Sequence, residues 1–240
     1  MSALPRLQMG KFIFSVLCYI AAMSSLCAFF WLIELSWDSN PIPFSWSFVI
    51  RNIVVFMVFP LQHSILARPA VKRKMKKEIP PLLERPVYVG TSGLAMWFVL
   101  FYWVPFGPYL YRSEETILFD VPFYLSLGLI IYSTIGLNHS IMFGLRQGYA
   151  AWKKTSLPES TLQENGIYGI VRHPLTSLLI VALWSHETLT AGRLMFNVLF
   201  TGYALIGTIF EERDLIKHFG EDYRDYARRV PAYLPRLGRG

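Results

Sequence analysis

Apolar residues in this 240-residue chain gather into six blocks bounded by charge, proline or glycine: 12–36, 46–66, 87–105, 117–137, 175–190 and 194–210. A helix that crosses a hydrocarbon core of roughly 30 Å at about 1.5 Å per residue needs about 18 to 25 such residues. The pattern therefore predicts an all-α fold, a polytopic transmembrane helix bundle of about six spans forming a single integral membrane domain over residues 1–240. The fifth block is short, rising only about 24 Å; it is either tilted into a thinned region or partly re-entrant. Beyond Phe210 the period changes. Leu215, Ile216, Phe219, Tyr223, Tyr226 and Val230 recur at steps of three and four among charged residues, which predicts a C-terminal amphipathic helix within a tail of residues 211–240, stopped near Pro231.

Composition agrees with this class, at 53% apolar residues. The first block follows Arg6 and Lys11, yet it is too long for a signal-peptide core and lacks a small-residue cleavage site, so it reads as a retained span. Cys18 and Cys27 both lie in it, nine positions apart on one helix, and cannot pair. The net charge of +7 suggests nucleic acid until its positions are read. Twenty of the basic residues fall before span one, in loops two and four and in the tail; two fall on the other side, and Arg51 lies within a span. The positive-inside rule then places both termini in the cytoplasm and assigns the charge to topology, with the lipid bilayer and no nucleic acid as partner. Trp31, Trp37, Trp46, Trp103, Tyr109 and Tyr111 stand near span ends, as an interfacial aromatic belt requires.

Ionisable and amide groups inside spans are costly and therefore informative. Glu34 and Asp120 lie near span ends and read as anchors, and Arg51 can snorkel. Gln62 with His63 closes span two, and Asn138 with His139 closes span four, at the same membrane face. Either they hydrogen-bond between helices or they line a shared polar cavity. The densest constellation is Gly166-Ile167-Tyr168-Gly169-Ile170-Val171-Arg172-His173-Pro174, leading into span five. Pro174 suits a first helical turn, which sets Arg172 and His173 at a helix N-terminus, where backbone donors and dipole favour an anionic group. A cationic stop at the surface would account for Arg172 alone. Glu211 and Glu212 follow span six; by themselves they read as a solvated, dipole-stabilised pair. No metal site is expected.

Together these motifs resemble the isoprenylcysteine carboxyl methyltransferase superfamily: Gly-Ile-Tyr, then Arg-His-Pro, a span, Glu211-Glu212, Phe219-Gly220, Tyr223, Tyr226 and Val230-Pro231. Upstream, Gln62-His63-Ser64, Glu84-Arg85-Pro86-Val87-Tyr88, Asn138-His139 and Phe143-Gly144-Leu145-Arg146-Gln147 resemble the nurim family, and within it the bacterial methanethiol S-methyltransferases. The resemblance runs from about residue 60 to 234. It implies S-adenosyl-L-methionine as cofactor, with Tyr168, Arg172, His173, Pro174 and Glu211 or Glu212 around it, Leu162 and Gln163 nearby, and Gln147 as a further contact. It implies transfer of a methyl group to a small apolar thiol such as methanethiol, giving dimethyl sulfide, with His139 or His63 as base and Arg172 in the catalytic set. Gly207-Thr208-Ile209-Phe210 stands where the carboxyl methyltransferases carry a substrate-binding arginine, which argues against a carboxylate acceptor. The alternatives are a non-enzymatic, nurim-like protein of the nuclear envelope and a membrane methyltransferase with another lipophilic acceptor. A bacterial inner membrane is the expected location.

Overall fold

The computed structural model describes residues 3–35 and 40–236, and the side chains of 8–34 and 40–236. Trp37, the end of the first predicted span and the Arg6 side chain lie outside the described residues. The helices are α1 (Ala3–Leu35), α2 (Trp46–Ala67), α3 (Pro69–Glu78), α4 (Glu84–Tyr102), α5 (Ile117–Gly136), α6 (His139–Met142), α7 (Leu145–Lys153), α8 (Pro174–Trp184), α9 (Ala191–Phe219) and α10 (Glu221–Arg229). Two short strands, β1 (Tyr109–Arg112) and β2 (Thr188–Thr190), complete them. The chain divides into two compact units, Met1–Phe106 with His139–Glu159, and Gly107–Asn138 with Ser160–Gly240.

In the first unit α1 packs along α4 and α7, and α2 along α4. Small residues permit the α1–α4 approach: a Cβ added at Gly93 would meet the Ala22 backbone at 2.7 Å, and one at Gly90 the Cys18 Sγ at 2.7 Å. Close backbone contact of this kind is how helices pack where no hydrophobic force separates lipid from protein. Buried Asn52 fixes the far end of α4 by donating from Nδ2 to the Val104 carbonyl at 2.8 Å and accepting from its N–H at 3.0 Å. Both groups would otherwise be buried without a partner.

The second unit sets α5 along α8, and α8 against α9, around Phe123, Leu183, Phe196 and Phe200. β1 and β2 pair antiparallel, with Tyr109 opposite Thr190 and Arg112 opposite Thr188. This ribbon takes residues the apolar pattern gave to span five. Helix α8 stops at Trp184 after 11 residues, a rise of about 16 Å. The tail also differs from expectation. Instead of a separate helix starting at Glu211, α9 continues unbroken to Phe219, Gly220 turns at φ 61° and ψ −126°, and α10 follows. The apolar stripe nonetheless closes on itself: Leu162, Leu215, Ile216 and Phe219 pack against buried Tyr223, Tyr226 and Val230.

Among the described residues four helices are long and apolar enough to cross a membrane: Gln8–Glu34 within α1, α2, α5 and α9. Large apolar side chains face outward along them, among them Leu17, Ile50, Val54, Leu118, Leu125 and Ile135. Water-facing surfaces do not sustain contiguous apolar faces of that extent, whereas hydrocarbon does. The molecule is an all-α integral membrane bundle. The other two predicted spans correspond to α8, too short, and to α4, whose 19 residues include Arg85, Tyr88, Thr91 and Ser92.

Candidate functional site

In the second unit the motif loop folds so that Gly166–Gly169 forms a 3-10 turn, His173 caps α8 and Pro174 occupies its first position. The chain's last segment lies against this loop. The N–H of Arg172 donates to the Pro231 carbonyl at 2.8 Å, and that of His173 to the Ala232 carbonyl at 3.0 Å. Ser177 Oγ donates to the Tyr233 carbonyl at 2.8 Å, and Tyr226 OH to the Tyr168 carbonyl at 2.6 Å. Tyr168 OH in turn donates to the Ser133 carbonyl of α5 at 3.3 Å.

Arg172 spends its donors within the protein. Nε and Nη2 donate to Glu212 Oε1 at 3.0 and 2.5 Å, and Nη1 donates to the carbonyls of Ala227 and Val230 at 3.1 and 2.5 Å. Burial works against the guanidinium charge, but its hydrogen bonds and attraction to Glu212 outweigh that and hold its pKa above the ordinary value. The same Oε1 lies 3.0 Å from His173 Nε2 and accepts from Tyr223 OH at 3.3 Å. One carboxylate oxygen thus gathers a guanidinium and an imidazole from the motif loop and a phenol from α10, the kind of charge-assisted cluster that fixes geometry. Glu212 Oε2 takes no hydrogen bond among the described residues. Glu211 is largely exposed, and its one ion pair among the described residues, to His173 Nδ1, is long at 3.7 Å. The phenols stay neutral donors: burial first, then Glu211 and Glu212 respectively, push Tyr168 and Tyr223 well up, and burial pushes Tyr226 up to about 12. Leu162 packs on the Tyr223–Tyr226–Val230 cluster, and Gln163 Nε2 donates to the Asn165 carbonyl at 3.3 Å.

The first unit holds the remaining candidates. His63 Nε2 lies 2.6 Å from Tyr88 OH, joining α2 to α4, and His139 Nε2 lies 3.0 Å from Tyr19 OH, joining α6 to α1. Each histidine therefore makes an interhelical bond with a different tyrosine. Gln147 is buried; its Nε2 donates to the Ile141 carbonyl at 2.9 Å, while its Oε1 has no partner among the described residues.

Among known proteins, the chain is 37% identical to a methanethiol S-methyltransferase of Mycobacterium tuberculosis over 198 residues, 78% of each chain. It is 30% identical to a methanethiol S-methyltransferase of a Pseudomonas species over 237 residues, 95% of this chain and 91% of that one. This chain belongs to the nurim-like family, close to the methanethiol S-methyltransferases. Nurim of Sus scrofa is more distant, at 27% over 196 residues, 77% of this chain and 72% of nurim. No family model and no solved structure matches it.

Within this nurim-like chain the structure brings Tyr168, Arg172, His173, Glu211 and Glu212 to one place, with Pro174 buried beneath. Sequence reading left Tyr223, Tyr226 and the carbonyls of residues 227–232 out of the site. Tyrosines three apart on a stripe otherwise made of Leu, Ile, Phe and Val were the available signal, since a buried phenol requires an acceptor. Backbone carbonyls carry no such mark.

Proposed function

We propose that this nurim-like protein is an S-adenosylmethionine-dependent methyltransferase that converts methanethiol to dimethyl sulfide. The carrying observation is Glu211, a carboxylate left largely unengaged beside the Arg172–His173–Glu212 cluster, in a chain similar to proteins named methanethiol S-methyltransferase. The donor set fits such a cofactor, which is cationic at sulfur and ammonium and carries ribose hydroxyls: Glu211 and Oε2 of Glu212 are acceptors of matching sign. Bound cofactor supplies a methyl group already activated on a sulfonium.

The protein's part is placement, exclusion of water and removal of the thiol proton. Glu211, with Tyr168, His173, Pro174, Leu162 and Gln163, is assigned to holding the cofactor. Arg172 and Glu212 are assigned to ordering the loop that holds it. His139 is assigned as proton acceptor, with His63 as second candidate. The absence of arginine in Gly207–Phe210 argues against a carboxylate acceptor, and the names of the relatives favour a thiol. The topology that goes with this reading is six spans in one domain of the bacterial inner membrane, both termini cytoplasmic.

Two measurements test it on the purified protein. Cofactor at a hundred times its Kd should stabilise the fold by about 2.7 kcal/mol, seen as a rise in Tm. Methanethiol plus cofactor should release dimethyl sulfide into the headspace. A protein that shows neither is not this enzyme, and one that binds cofactor but methylates another lipophile has a different acceptor.

A further inference from the structure

We infer that helix α3 is a docking surface for anionic phospholipid headgroups. Five of its 10 residues are basic, Lys72, Arg73, Lys74, Lys76 and Lys77, against one acid, Glu78. Position comes first. α3 begins immediately beyond α2, a helix long and apolar enough to span, and Arg68 between them is extended at φ −66° and ψ 134°, with Pro69 opening the new helix. The chain therefore leaves the direction of α2 at the point where its apolar run ends, and the basic residues start where headgroups start. Leu61 and Ile65, just before the turn, are about half exposed, as lipid-facing residues are.

The charges on α3 are sorted by face. At about 100° per residue, Val71, Met75 and Ile79 share one side and are half-buried. Lys72 and Lys76, next to them, turn inward, with Nζ 3.7 and 3.6 Å from the two oxygens of Glu84, whose side chain is 12% exposed. Lys72 also stands 6.0 Å from the Tyr88 ring centroid. These contacts brace the helix against α4. Arg73 and Lys77 fall on the opposite side and Lys74 on the flank away from Lys72 and Lys76; all three are exposed, and none has an ion-pair partner among the described residues. A charge run that only sets topology has no need of a braced helix with three cations turned out.

Apolar flank, basic outer face and junction with a spanning helix together match a surface of lipid phosphates better than a soluble partner. A Lys or Arg near an anionic bilayer surface strengthens association roughly fivefold.

The test uses the full chain in phosphatidylcholine vesicles containing trace spin-labelled phosphatidylglycerol or spin-labelled phosphatidylcholine. The expected result is a several-fold preference for phosphatidylglycerol that weakens with salt and is lost in R73Q/K74Q/K77Q. The double variant K153Q/K154Q, which removes basic side chains elsewhere in the same unit, should keep it, and circular dichroism should show both variants folded. Equal association of the two lipids overturns the inference, as does a preference that survives the triple substitution or falls equally in the control. Complete competition by inorganic phosphate at constant ionic strength also overturns it, since the site would then be one for small anions.

Discussion

Glu211 and Glu212 are neighbours in different surroundings. Glu212 sits under Arg172, His173 and Tyr223, so Glu212→Gln should cost about 2 kcal/mol, a fall in Tm of about 4–8 °C for a chain of this size. Glu211→Gln should leave Tm nearly unchanged and remove the stabilisation that S-adenosylmethionine confers. Thermal unfolding of both variants with and without cofactor checks the split; equal behaviour would undo it. Arg172→Lys should be no rescue of Arg172→Ala, because an ammonium cannot reach one carboxylate oxygen and two carbonyls from one planar fork. Tyr226 carries a pH signature. Its phenol rises from 10 to about 12 on folding, so the neutral form stabilises the fold fully below about pH 10, and that contribution fades as pH climbs toward 12. Tyr226→Phe should flatten this alkaline limb in a pH series of unfolding curves. At this scale the sequence marked Tyr168, Arg172, His173 and both glutamates as a group. It could not assign duties among them, because Arg172's partners at Ala227 and Val230 are backbone oxygens.

Helices α1, α2 and α5 were legible because each is a long apolar block closed by charge, proline or glycine, and hydrocarbon thickness leaves little freedom in their length. Helix α8 was not. Leu183 and Trp184 continue the apolar pattern, but the helix stops there: Asn197 Nδ2 of α9 donates to the Leu183 carbonyl, and Thr188–Thr190 pair with Tyr109–Arg112 beyond it. A short ribbon between distant segments leaves no local period to read. The tail failed differently: the stripe from Leu215 to Val230 is real, but Gly220 divides it between two helices. At φ 61° and ψ −126° a side chain is strained, so Gly220→Ala should cost about 1–3 kcal/mol. It should also expose α10 to limited proteolysis while far-ultraviolet circular dichroism changes little.

For the molecule as a whole, the charge asymmetry makes an orientation testable. In a background lacking Cys18 and Cys27, single cysteines placed at 74, 153 and 224 should react with an impermeant maleimide only from the cytoplasmic side, and one at 112 only from the opposite side. A cysteine at 153 labelled with that at 112 would refute the six-span reading. The clamp on Arg172 also orders events during synthesis. Its acceptor at Val230 lies 58 residues further along the chain, about 3–12 s of elongation at ~5–20 residues per second. Until those residues emerge, the guanidinium and the α8 cap lack their carbonyl partners at residues 227–232, so the loop of residues 166–173 matures last. A ribosome that stops short of Val230 leaves the loop open, so closure of the loop reports that synthesis has passed that residue.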